Sequence, residues 1–459
     1  MKEILVKDII KICNGKLICG NEEEVCENFS KDTRTIEKGD IYLGIKGEKF
    51  NGSTFYKQAF EKGASGCILQ DIEISEEETN EYKDKFIIIV KDVVKALQEL
   101  AIYKRSLYNI PVIAVTGSVG KTSTKDIIAG VMSTKYNVLK TEGNYNNEIG
   151  LPLTILKLKE HNAVVLEMGM SAFGEISLLT NIAKPTTAVI TIIGTSHIGE
   201  LGSIENILKA KLEILEGLEQ NGSLIINNDN ELLNSWNKTN QDIHKHITYG
   251  IDNKSILNAE NINIMESGSS FEIEINSKKY NIEVPVAGKH YIYNCLAAIA
   301  VGLEYNIEME NIIKGISNFI LTKRRMEIIK NSVGATIIND CYNASYESTK
   351  AALEYISSLN QNRKIAVLGD VLELGEYSKQ MHKKIGEEVV KSNVDILITV
   401  GIEAKEIANV AKNAKLEVYS FNENMQAINV LKEKMKNEDV ILIKASNAMN
   451  FIEIVEAIK

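Results

Sequence analysis

One stretch limits the possible folds more than any other: "VIAVTGSVGKTSTKD", residues 112–126. A β-branched run stops at Thr116, Gly117 and Gly120 follow three apart, and Lys121-Thr122-Ser123 open a segment with helical spacing. A strand that turns through glycines into a helix belongs to an α/β layer. It also aims backbone N–H groups and the positive helix end at one point, which suits phosphate. The familiar phosphate loop has four residues between its first glycine and Gly-Lys-Ser/Thr. That glycine would fall at Val115, so the loop here, Gly117-Ser118-Val119-Gly120-Lys121-Thr122, is a tighter variant. Lys121 has the reach for the β- and γ-phosphates, and the Thr122 hydroxyl suits Mg²⁺. Ser123 completes the run.

Around this loop, strand-like runs alternate with helix patterns: "VIAVT", "AVVLEM", "TAVITII" and "SLIIN". They predict a mostly parallel sheet wrapped by helices. Residues 262–286 break the alternation and read as antiparallel strands. A second α/β series follows in "ATIIND", "KIAVLGD", "ILITVG" and "VILIKAS". At one domain per about 150 residues, a chain of 459 allows about three. The expectation is an α/β protein with a small N-terminal α/β domain and linker helix at 1–107. A central phosphate-loop domain with a parallel sheet spans 108–321, and a C-terminal Rossmann-like, doubly wound domain spans 322–459. The acidic segment 73–85 reads as a surface loop.

The formal net charge is -10 and no block of Lys/Arg interrupts it, which argues against nucleic acid or an acidic membrane as partner. Near the N-terminus, Lys7, Asp8 and Lys11 interrupt the apolar residues of a would-be signal peptide. No apolar run approaches the roughly 20 residues of a membrane span. A cytoplasmic, monomeric enzyme with no membrane insertion is expected. The six cysteines form no CxxC pair and read as reduced thiols.

Ligands of open α/β sheets lie beyond the carboxyl ends of strands. Glu167 ends one such strand and His197 follows another, so both are candidates for holding Mg²⁺ near a γ-phosphate. Lys211, in "ILKAKLEIL", reads from its pattern alone as a solvated helix lysine. His290 and Asn294 stand at the start of an alanine-rich helix that packs tightly.

Taken together these stretches resemble the Mur ligase family, ATP-dependent amide-forming enzymes of peptidoglycan synthesis. The resemblance runs nearly the whole length in order. It includes "DTRTIEKGDIYLGIKGEKFNG", "TGSVGKTSTKD", "TEGNYNNEIGLPLTIL", "LEMGMSAFGEI", "KRRMEII", "DCYNAS" and "VLGDVLELGE". Within the family, the asparagine-rich run at 141–156 is similar to the members that add D-alanyl-D-alanine to a UDP-N-acetylmuramoyl-tripeptide. The resemblance implies that Gly117 to Ser123, Asn294, Arg325 and Asp340 bind ATP. It implies two Mg²⁺ sites held by Thr122, Glu167, His197 and a carbamylated Lys211, with Lys121, His197 and Lys211 in catalytic roles. Asp32, Thr33 and Arg34 would hold the uridine nucleotide, and Asn144, Asn146, Asn147, Tyr342 and Asn343 the rest of the substrates.

Three departures bear on the incoming amine and the first domain. Asn51-Gly52-Ser53 stands where the family often has Asp-Gly-His, Ser345-Tyr346 where it has Asn-Pro, and Asn447 where it has arginine. With that arginine absent, Lys323, Arg324 and Lys444 are the cations left to meet a dipeptide carboxylate. Three other readings fit part of the pattern: a phosphate-loop kinase, which needs no further domains, a non-catalytic nucleotide-dependent interaction protein, and a related Mur-type or folate-polyglutamate-type ligase adding a different amine.

Overall fold

The structure is a computed structural model that describes residues 3–240, 243–359 and 363–459. Four sheets organise it. In the N-terminal part, strands Phe29–Ser30, Ile41–Leu43, Gly66–Leu69 and Phe86–Ile89 pair in parallel, and Lys16–Cys19 closes the edge antiparallel. A two-stranded ribbon, Ile4–Leu5 with Val25–Cys26, lies beside them. The acidic segment expected to be a loop contains a helix, Glu76–Glu81. Ser75 accepts from the Glu78 N–H while the Glu78 carboxylate accepts from the Ser75 N–H. That reciprocal cap satisfies two of the helix's open donors and offsets its lack of an apolar face.

The helix Val93–Ser106 leads into the central part. Asp92 caps its start by accepting from the Lys95 N–H. Near its end the Arg105 guanidinium donates to the carbonyls of Ala183, Lys184 and Tyr108. Those bonds satisfy a buried cation and fasten the linker to the central sheet.

That sheet has nine strands. Seven are parallel, with Val112–Thr116 between Ala163–Glu167 and Thr187–Ile190. These three strands are buried throughout, which explains their mainly apolar sequence. Beyond Leu257–Ile264 the strands Ser269–Ile275 and Lys278–Val284 turn antiparallel, as expected for 262–286. The helix Lys289–Glu304 packs on Lys121–Met132, and its small residues Ala297, Ala298 and Ala300 allow the close approach.

The C-terminal sheet has six strands. Glu327–Lys330 is an antiparallel edge, and Thr336–Asn339, Val440–Lys444, Lys364–Gly369, Ile396–Val400 and Glu417–Phe421 run parallel. Sequence patterning misses Glu327–Lys330 and Glu417–Phe421. Both are edge strands with polar residues and partial exposure. Among the described residues no helix is long and apolar enough to cross a membrane, and all six cysteines are free thiols.

Candidate functional site

The phosphate loop is built by two constraints. Gly117 has φ +145°, and a Cβ there would sit 1.9 Å from Thr191 Oγ1. Gly120, at φ +88°, stands as N-cap of the helix Lys121–Met132. Neither place tolerates a side chain, and the pair lets the loop curl against the neighbouring strand end. Thr191 Oγ1 donates to the Val119 carbonyl, and Ser118 exchanges hydrogen bonds with the backbone of Gly194. The Lys121 ammonium folds back on the Gly117 carbonyl at 2.7 Å. Burial lowers its pKa, Arg325 adds to that, and Glu167 and Glu373 oppose it.

Two cavities flank the loop and share Val119, Gly120 and Arg325. The first, about 470 Å³, is walled by Tyr249, Ile264, Tyr291, Ala351 and Tyr355. Asn294, Asp229, Asp340 and Lys444 reach into it. Asn294 accepts from the Thr124 hydroxyl at 3.0 Å. Asp229 accepts from the N–H groups of Ile251, Asp252 and Asn253 and from Tyr293, and these bonds hold its carboxyl below the usual range against its burial. Asp340 accepts from the Lys444 ammonium at 2.5 Å. An apolar slot with a few fixed polar groups suits a nucleoside.

The second cavity, about 440 Å³, is polar. It gathers Lys121, Thr122, Glu167 and His197 with Asn144, Asn146 and Asn147 from the asparagine-rich loop, and Tyr342 and Asn343 from the C-terminal part. Glu167 is 3% exposed; its Oε1 accepts from Asn146 at 2.8 Å and its Oε2 has no partner among the described residues. His197 occupies a left-handed conformation at φ 65°. Its Nδ1 lies 2.7 Å from a Glu373 oxygen but out of line for a hydrogen bond. Arg325 donates to the Thr122 hydroxyl at 3.2 Å and stacks 4.3 Å from the Tyr342 ring, while its Nε has no partner among the described residues.

A buried carboxylate oxygen with no partner fits a cation. Among the described residues no three His, Cys, Asp or Glu side chains gather as a metal cage. The donor set therefore suits Mg²⁺, which takes few carboxylates and completes its shell with water and phosphate.

Lys211 corrects the reading of its pattern. The ammonium is on the helix Ile204–Leu212 but only 1% exposed, and it makes no ion pair with another described residue. Burial pushes its pKa well below the ordinary lysine value, and the Lys121 charge pushes it further. A single helix turn does not reveal that its polar face is covered by another part of the chain.

Asp32, Thr33 and Arg34 are not brought into either cavity. Arg34 pairs with Asp32 at 2.7 Å on an exposed turn of the N-terminal part. The neighbouring Lys31 ammonium reaches within 5.7 Å of the Tyr145 ring, so the turn abuts the asparagine-rich loop. Lys444, one of the cations considered for the dipeptide carboxylate, is committed to Asp340 and the Asn343 carbonyl. Glu373 and Ser348 also line the site. Their residue types carry no signal without the fold.

Comparison with known proteins agrees with this geometry. Residues 28–105 match the Mur ligase family catalytic domain, 115–302 the Mur ligase middle domain, and 324–447 the Mur ligase glutamate ligase domain. Over 457 residues the chain is 40% identical to the UDP-N-acetylmuramoyl-tripeptide–D-alanyl-D-alanine ligase of Bacillus subtilis, covering 98% of this chain and 97% of that one. The chain belongs to the Mur ligase family. Among solved Mur ligases, a MurF structure from Acinetobacter baumannii superposes with TM-score 0.87 at 26% identity, covering 99% of this chain and 98% of that one. The MurF ligase of Thermotoga maritima in complex with ADP gives TM-score 0.81 at 26% identity, with coverages of 94% and 96%.

Proposed function

We infer that this Mur ligase joins D-alanyl-D-alanine to UDP-N-acetylmuramoyl-tripeptide at the expense of ATP. The observation that carries the reading is the phosphate loop standing between two cavities, one shaped for a nucleoside and one polar. A triphosphate lying across the loop puts its γ-phosphate in the polar cavity, where an acceptor carboxylate has room. The full-length likeness to dipeptide-adding ligases supplies the substrates. The asparagine-rich run, which resembles those members, lines the polar cavity with Asn144, Asn146 and Asn147. A kinase would need no third α/β unit, and the 40% identity favours the dipeptide over a folate-type substrate.

The tripeptide carboxylate attacks the γ-phosphorus, the bond to the β-phosphate oxygen breaks, and ADP leaves an acyl phosphate. The dipeptide amine then attacks the carbonyl carbon. The tetrahedral intermediate expels phosphate, a proton is released, and the amide remains. Two anions must approach in the first step, so charge neutralisation governs its rate. Lys121 serves the triphosphate, and Arg325 stands between both cavities. Thr122, Glu167 and His197 would hold Mg²⁺, and Lys211 as a carbamate would hold a second; the ions supply further neutralisation. Only a neutral amine adds to CO₂, and the burial that lowers the Lys211 pKa provides one. Asn294, Arg325 and Asp340 serve ATP.

Asp32, Thr33 and Arg34 would take the uridine end, with the peptide running past Tyr145 into the polar cavity along Asn144, Asn146 and Asn147. The division of labour is then UDP-substrate binding by 1–107, ATP binding by 108–321 and amine delivery by 322–459. The test is phosphate release and amide formation with each substrate omitted in turn, then with a panel of amines. Both products should require ATP, the UDP-tripeptide and an amine, with D-alanyl-D-alanine preferred over single amino acids. A clear preference for a single amino acid would reject the dipeptide assignment and leave the ATP chemistry standing.

A further inference from the structure

The C-terminal part meets the central part at several points, and one of them reaches the phosphate loop itself. Glu347 stands in the first turn of the helix Tyr346–Ser358, whose start is capped by Ser345. Its carboxylate leaves its own helix and accepts from the Thr195 N–H at 2.7 Å and the Thr195 hydroxyl at 3.1 Å. Thr195 is 9% exposed. The carboxylate also fills the space over Gly194, where a Cβ would lie 2.6 Å from the Glu347 carboxyl carbon. Gly194 is the residue whose N–H and carbonyl hold the Ser118 hydroxyl, and Ser196 Oγ donates to the Ser118 carbonyl. The chain of contacts runs from a helix of the amine-delivering part, through residues 194–196, into the loop that holds the phosphates.

We propose that Glu347 is a positioning residue: a latch that fastens the C-terminal part over the phosphate loop while the acyl phosphate awaits its amine. Several features give the contact this role. It is a charge-assisted pair of bonds, stronger than neutral ones. It lies at the partly buried junction, where water competes less. It reaches Ser118 only through residues 194–196, and Glu347 itself lines neither cavity, so its loss leaves Lys121 and Thr122 in place. The next residue, Ser348, lines both cavities, so the latch fixes the stretch of helix that borders them. With the latch open, water takes the place of the amine at the acyl carbonyl. The carbon–oxygen bond to phosphate breaks, the carboxylate returns, and ATP is consumed with no amide made. The inference rests on the ligase reading given above.

The experiment compares phosphate released with amide formed in the same reaction, for the unmodified protein and for Glu347→Ala, Glu347→Gln and Thr195→Val. The unmodified protein should release one phosphate per amide; failure there would count against the ligase reading, before any variant is considered. Glu347→Ala should raise the phosphate-to-amide ratio several-fold and the KM for the dipeptide about tenfold, as expected from losing a hydrogen bond to a charged group. The KM for ATP should change less, by about twofold, since Glu347 itself lines neither cavity. Glu347→Gln keeps an acceptor and should recover part of the coupling, and Thr195→Val, which retains the backbone N–H, should fall between. Thermal unfolding of each variant accompanies the rates. A ratio that stays at one in Glu347→Ala overturns the latch, whether activity is kept or falls in step with stability.

Discussion

In the nucleoside cavity the polar side chains are already engaged. Asn294 is held by Thr124, Asp229 by three backbone N–H groups and Tyr293, and Asp340 by Lys444. Across the phosphate loop the pattern reverses. On the polar side Glu167 Oε2 is buried without a partner among the described residues; Arg325, which borders both cavities, leaves its Nε unpartnered among them, and Lys211, which lines neither cavity, is buried without a counter-ion among them. Unpaired buried polar groups cost stability, so a fold keeps them only where something else offsets the cost. The contrast separates a side that recognises by shape from one that stores uncompensated charge for a reaction. Mutations on the two sides should therefore fail differently, the first in substrate affinity and the second in turnover.

The largest effect belongs to Lys121→Ala. Removing the cation proposed to meet the triphosphate should lower kcat by on the order of a thousandfold or more, with the fold intact by circular dichroism. Near-normal turnover would break the comparison at its strongest point. Lys211→Ala should be close to inactive, and a short carboxylic acid in the buffer should restore part of the rate by replacing the oxygens of the proposed carbamate. Full activity without additive would show that the lysine plays no chemical part. Glu167→Gln keeps the bond partner of Asn146 but removes the charge, and should cost roughly a hundredfold in kcat with a higher Mg²⁺ requirement.

The nucleoside side should respond more mildly. Asn294→Ala leaves the Thr124 hydroxyl without its acceptor, so the KM for ATP should rise about tenfold while kcat changes little. A large fall in kcat with unchanged KM would blur the distinction between the two sides.

The asymmetry also explains what the sequence discloses. The phosphate loop, the parallel strands and Glu167 are legible because local pattern dictates them: a β-branched run, glycines where φ is positive, and a carboxylate at a strand end. Lys211 is not legible, since its neighbours in the chain look like an ordinary amphipathic helix and its burial comes from elsewhere. Glu347 and Glu373 are invisible for the same reason, as each acts on a residue more than a hundred positions away. The helix Glu76–Glu81 could have been found from Ser75 and Glu78, a capping pair at the right spacing. The turn at Asp32–Arg34 is recognisable as a motif, yet it sits outside both cavities and pairs with itself.

The smallest effect concerns pH and the nucleoside wall. Burial lowers the His290 pKa from 6.5 to about 4. The unfolded chain therefore binds a proton there at a pH where the folded one does not. Stability from this group is full above pH 6.5 and is lost as pH falls toward about 4. His290→Asn should show a shallower loss of denaturant midpoint over that window than the unmodified protein. Identical slopes would show that the ring is solvated in the native state.

The central claim is that the polar cavity carries a carboxylate through an acyl phosphate. Tripeptide substrate labelled with ¹⁸O in its terminal carboxylate tests it most directly, by mass analysis of the phosphate released with D-alanyl-D-alanine. The account predicts that each phosphate carries one oxygen from the substrate carboxylate, because the bond cleaved in the second step joins that oxygen to the carbonyl carbon. Phosphate free of label, with amide formed, would contradict it.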